Sequence, residues 1–81
     1  MDLETLDRKF LDAADKGNVS LLGELIDSGA YINYRDYDGR NALFYAVMNN
    51  RLEAIDFLKK AGININERDI DGETALITAV R

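Results

Sequence analysis

Displaced by 33 residues, this chain falls back on itself. Gly29, Ile32, Asn33, Arg35, Asp36, Asp38, Gly39, Ala42, Leu43, Ala46 and Val47 return as Gly62, Ile65, Asn66, Arg68, Asp69, Asp71, Gly72, Ala75, Leu76, Ala79 and Val80. Those are eleven identities in the twenty aligned pairs that begin at residue 29, where chance supplies about one or two. Ala13/Ala46, Leu22/Ile55 and Leu25/Leu58 carry the register upstream. A period of this length belongs to units that cannot bury an apolar face alone and do so by stacking. Such stacks present extended surfaces to other macromolecules, so the period points to binding rather than catalysis.

At 81 residues the chain reads as a single domain, 1–81, and a domain this small buries only about 60% of its unfolded surface. Ten Lys and Arg stand against fifteen Asp and Glu, a net charge of −5 with no basic run. That argues against nucleic acid, whose binding rests on phosphate neutralisation. With no cysteine, disulfides, zinc–thiolate sites and thiol nucleophiles are excluded, which suits a reducing compartment. The opening MDLETLDRKF is acidic and interrupted, unlike a signal peptide. The longest uncharged run, Asn41 to Asn50, is too short to span a bilayer. The expectation is a soluble, cytoplasmic protein with no membrane partner.

Apolar residues at helical spacing predict a helix from Leu3 to Lys16, capped by Asp2 or Thr5, with Leu6, Phe10, Ala13 and Ala14 inward. Gly17-Asn18 breaks it, because both residues tolerate positive backbone angles. A second helix runs from about Val19 to Ser28, with Gly29 at its left-handed C-terminus. An extended stretch, Tyr31 to Asn33, leads to Asp36-Tyr37-Asp38-Gly39, a type I turn signature. Helices three (about Asn41 to Asn49) and four (about Leu52 to Ala61, ended by Gly62) repeat the pattern. Asp69-Ile70-Asp71-Gly72 opens a third unit whose first helix starts at Thr74.

Turn, helix, break, helix, glycine, extended stretch: in this order the chain resembles an ankyrin-repeat protein. The second unit supplies Asp36, Gly39, Leu43, Ala46, Leu58, Gly62 and Asn66 in the family's register, and the first supplies Phe10, Ala13, Ala14, Gly17, Leu25, Gly29, Ala30 and Asn33. The resemblance covers nearly the whole chain. It implies an all-α helix-turn-helix solenoid with short β-hairpin-type loops, divided into unit one (about 3–35, resembling an N-terminal cap), unit two (about 36–68) and a partial unit three (69–81). The family's Thr-Pro-Leu-His helix start is replaced by Asn41-Ala42-Leu43-Phe44 and Thr74-Ala75-Leu76-Ile77. Thr74 can keep part of the hydrogen-bond network the family builds there and Asn41 can cap its helix, so a less stable stack is expected.

Chemistry finds little purchase. With neither His nor Cys, general acid–base or nucleophilic work would fall to carboxylates, lysines, Ser20, Ser28 and the tyrosines. Asp36/Asp38 and Asp69/Asp71 are each followed directly by glycine, and the twelve-residue calcium loop is absent. Asp36 and Asp69 are therefore read as bonding their own turns. No enzymatic activity and no cofactor are expected. Tyr31, Tyr34 and Tyr37, interleaved with Arg35 and Arg40, are of the types enriched at interface hot spots, although aromatics also pack across hairpins.

By the resemblance, the binding surface comprises hairpin tips and adjacent first helices. In unit two these positions are Arg35, Tyr37, Asp38, Arg40, Met48 and Asn49. In unit three they are Arg68, Ile70, Asp71, Glu73 and Arg81, with Asp15 and Lys16 equivalent in unit one. Tyr37, Arg40, Met48 and Ile70 are the expected anchors of a protein–protein interaction module, its acidic tips favouring a basic partner. An inhibitor or immunity-type protein blocking a basic site is the alternative within that class. At the other end, Asp7, Arg8, Asp12, Asp15 and Glu24 give unit one a polar outer face, whereas Leu76, Ile77 and Val80 have no second helix over them. Leaving ~200 Å² of such surface bare forfeits about 5 kcal/mol of burial, as much as a small domain's whole stability. Further repeats, a homodimer through those three residues, or a different docked protein would each cover it.

Overall fold

Wherever apolar residues recur every three to four positions, the chain is helical. The computed structural model describes residues 3–80, with α1 (Leu3–Lys16), α2 (Val19–Asp27), α3 (Ala42–Met48), α4 (Leu52–Lys60) and α5 (Ala75–Ala79). Of the two residues expected to cap α1, Asp2 lies outside the described residues and Thr5 lies within the helix. Asn18 caps α2, its side chain accepting from Leu21 N at 3.1 Å. Thr74 caps α5 through Ile77 N at 3.4 Å. The breaks between paired helices need a left-handed residue, Gly17 (φ 73°) in the first pair and Asn50 (φ 55°) at the same register in the second.

Like helices lie side by side, α1 against α3 and α3 against α5, while α2 backs α1 and α4 backs α3. Phe10, Leu22, Phe44 and Leu58 fill the space between them, with Ala13, Ala14, Ala42, Ala46 and Ala54 where the helices approach closely. Small residues at these points let neighbouring backbones come together. Core and repeat register are therefore one pattern.

Two connections differ from the sequence reading. Tyr31 to Asn33 is not extended: Tyr34 N bonds Tyr31 O at 3.0 Å, closing a turn at Ile32-Asn33 that recurs at Ile65-Asn66. The Tyr34 N to Tyr31 O bond, an i to i+3 closure, is a turn bond that an extended run cannot make. Asp7 is likewise not solvent-facing. It is buried, and its Oδ1 accepts the Tyr31 N–H at 2.7 Å, which gives the buried carboxylate a donor.

Asn41 does more than cap. Fully buried, its Oδ1 accepts from Leu43 N (3.1 Å) and Phe44 N (3.4 Å), while its Nδ2 donates to Asn64 O at 3.1 Å. One side chain thus starts α3 and ties it to the chain leaving α4, restoring a link that the sequence reading counted as lost. Asn41→Ala removes a cap and strands a carbonyl, a combined cost of about 2–3 kcal/mol. Chemical denaturation should show that loss as a lowered midpoint with an unchanged slope.

Candidate functional site

The hairpin tips are built by aspartates acting on their own backbone. Asp36 Oδ1 accepts from Asp38 N (2.9 Å) and Arg40 N (3.0 Å), and Gly39 N closes the turn on Asp36 O at 2.9 Å. Asp69 repeats this with Asp71 N and Glu73 N, both at 2.9 Å. These bonds fill the carboxylates with turn N–H groups, as the sequence reading expected. One backbone bond, Ile70 N to Asp38 O at 2.9 Å, couples the tips to each other.

That coupling explains a difference between two otherwise equivalent glycines. Gly39 and Gly72 both have positive φ, 75° and 78°. A Cβ at Gly39 would sit 3.0 Å from the Asp69 backbone, whereas at Gly72 nothing lies within 4 Å. Gly72→Ala carries only the left-handed backbone cost of about 1–2 kcal/mol. Gly39→Ala adds separation of the two hairpins, so its melting temperature should fall clearly further than that of Gly72→Ala.

Arginine makes the second tie. Arg35 Nε donates to Gly39 O (3.2 Å), its Nη2 reaches Arg68 O (2.6 Å), and its Nη1 pairs with Glu67 at 2.9 Å. Arg68 repeats only the first of these, Nη1 to Gly72 O at 3.1 Å. Asn49, at the far end of α3, donates to Asp15 Oδ1 (2.6 Å) and Tyr45 O (2.9 Å), fastening α3 to α1. Arg35, Arg68 and Asn49 thus hold the surface in shape.

What is left projecting is a short apolar pair in an acidic setting. Tyr37 is 92% exposed and Ile70 69%, and the exposed carboxylates of Asp38 and Asp71 flank them. Tyr34 packs half-buried against the core, while Tyr31 stays exposed. Arg40 and Glu73 are half-buried at the base of their hairpins. Met48, 45% exposed, lies at the other end of α3, about 9 Å along the axis from Ala42. The tip residues therefore come together and Met48 stands apart from them. Arg81 lies outside the described residues.

Beside Tyr37 the structure opens a cleft of about 260 Å³ lined by Arg8, Leu11, Tyr34, Asp36 and Tyr37. Sequence reasoning missed Arg8 and Leu11, because unit one has no hairpin of its own to which a surface position could be referred. Their i, i+3 spacing on α1 was the available signal. Asp36, which lines the cleft, accepts at its Oδ2 the hydroxyl proton of Tyr45. Burial, then this hydrogen bond to Asp36 and the carboxylate's charge, push the Tyr45 pKa up to about 12, against partial opposition from Arg40. The unfolded chain loses that proton near the ordinary value of 10.0. The contribution to stability is therefore complete below pH 10 and declines as pH rises through the folded value. Relative to Tyr45→Phe, the wild-type chain should lose stability between pH 10 and 12, and its phenolate absorbance should gain a step near pH 12 that the variant lacks.

Paired helices, projecting turns and a 33-residue translation define an ankyrin-type repeat stack. Residues 10–81 match the ankyrin-repeat family, in three copies, and the chain belongs to that family. Among curated proteins it is similar to short transient receptor potential channel 3 of Rattus norvegicus, Mus musculus and Homo sapiens, at 38% identity over 56 residues in each case. The match takes in 67% of this chain but only 6% of those relatives' length. Among the described residues no helix is long and apolar enough to cross a membrane. Ankyrin repeats are generally protein–protein interaction modules, and the family is typically non-enzymatic.

Proposed function

We propose that residues 1–81 act as one non-enzymatic protein-binding domain whose partner is gripped by the two hairpin tips. The observation that carries this reading is the pairing of Tyr37 and Ile70: both are strongly exposed, and Ile70 N bonds Asp38 O across the two tips. An exposed apolar residue alone carries little meaning. Two of them, carried on backbones that are bonded to each other and held by Arg35, are presented at a preorganised spacing, so binding orders the two side chains but not the hairpins. Asp38, Asp71 and Glu73 form an acidic rim around that contact, which suits a basic partner and speeds encounter with it. Arg40 at the hairpin base and Met48, apart from the tips at the far end of α3, are secondary contacts in this reading.

The fitting partner is an intracellular protein that presents an apolar pocket within a basic patch. Similarity to part of a channel protein carries no channel activity to this chain, since the shared segment is so small a share of that protein. The test is capture from cell extract by wild-type protein and by Tyr37→Ala/Ile70→Ala, with a thermal melt run on both. Exposed side chains contribute little to folding, so the variant should melt within a degree or two of wild type, a shift of under about 0.5 kcal/mol. Captured proteins should be lost with the variant and weakened by salt. Capture that survives both the substitutions and high salt would remove the tips from the function.

A further inference from the structure

The cleft beside Tyr37 has walls of two kinds. Leu11, Tyr34 and Tyr37 offer apolar surface, and Arg8 and Asp36 offer charge. Arg8 already interacts within the chain, and Arg40 acts on Tyr45 and is not among the cleft's walls. Asp36 Oδ1 accepts from Asp38 N and Arg40 N, whereas Oδ2 takes, among the described residues, only the Tyr45 hydroxyl. A carboxylate oxygen has two acceptor sites, so Oδ2 keeps one for a further donor. Asp38, exposed beside Tyr37, adds a second carboxylate at the rim.

This opening belongs to the fold and is not a place that the period fills. One repeat later the matching positions are Asn41, Phe44, Glu67, Asp69 and Ile70. There the first hairpin packs in, with Ile70 N bonded to Asp38 O and Gly39 close against the Asp69 backbone. A hairpin in the same place beside α1 would have to come from residues 3–7, which stand in register with 36–40. Those residues are instead the first turns of α1, and the ankyrin-repeat match begins only at residue 10. The element that fills the inner copy therefore has no counterpart here among the described residues.

Elimination selects the side chain that fits. An apolar one would cover the Asp36 carboxylate and give it no donor. An acidic one would face Asp36 and Asp38 together. A basic one lays its stem along Leu11, rests its head on the tyrosine rings and donates to Asp36. Arginine does this better than lysine, because its planar guanidinium stacks on a ring while its N–H groups point outward in the plane. We infer that the cleft receives an arginine side chain of the partner protein. The inference rests on the reading of the tips as the gripping surface, with Tyr37 serving as both tip and cleft wall.

The probe is N-acetylarginine methylamide, titrated into the isotope-labelled full chain and followed by NMR. Binding is weak but saturable, with shifts centred on Arg8, Leu11, Tyr34, Asp36 and Tyr37. N-acetylcitrulline methylamide, which has nearly the same shape and no charge, should bind at least about threefold more weakly. Arg8 is exposed on α1, so Arg8→Glu should fold, as a thermal melt checks, and by reversing a wall charge it should tighten the arginine probe at least about threefold. Tyr37→Ala removes a stacking ring and should weaken the probe by a similar factor of about three. Ile70→Ala, outside the cleft, should leave it unchanged. No saturable shift, equal binding of the citrulline compound, or weakening by Arg8→Glu would each overturn the inference. So would inorganic phosphate that shifts the same residues and is lost with Arg8→Glu, since the cleft would then take an anion. If the arginine probe fails while capture still depends on Tyr37 and Ile70, this inference falls and the tip reading stands. If the probe binds as described while capture ignores both substitutions, the tip reading falls and the cleft remains an arginine site.

Discussion

Everything in this molecule depends on the burial of one unit's apolar face by the next. Among the described residues no helix exceeds 14 residues, and α5 has five, lengths at which isolated helices are marginal in water. They persist because Phe10, Leu22, Phe44 and Leu58 share a single core that no one unit could close. Translation by 33 residues is the consequence: if each unit must offer its neighbour the face it receives, then the residues at that face must recur.

Polar ties then fix how the units sit. Asn41 joins the start of α3 to the chain after α4, Asn33 holds the same residue from the other side, and Arg35 crosses from one hairpin to the next. A buried amide has few acceptable partners, so the Asn41 tie favours a single register where apolar packing alone would tolerate slippage, and the exposed Asn33 and Arg35 bonds support the same register. The hairpins inherit that precision. Tyr37 and Ile70 are presented at a defined spacing because the backbones beneath them are bonded and Gly39 permits their close approach.

Surface and core divide the labour differently along the chain. Unit two is covered on both sides, and there the repeat's apolar residues are structural. In unit three the same letters face outward, so Leu76 and Val80 become surface while Leu43 is core.

The sequence by itself determined the period, the five helices, the aspartate turns, the left-handed glycines and the exposure of Tyr37 and Ile70 at the turns. These are local consequences, set by apolar spacing, backbone sterics and side-chain bonds within a few residues. Tertiary structure alone decided that Asp7 is buried under Tyr31 N, that Asn41 links two units, that Arg35 staples the hairpins, and that Arg8 and Leu11 share a cleft with Tyr37. Those partners stand about 23 to 33 residues apart along the chain, and a side chain's letter names what it can bond but not what packing brings beside it. Leu43 and Leu76 make the point most simply. They are the same residue in the same register, yet α3 lies between α1, α4 and α5 while α5 packs chiefly on α3, so only the first is buried.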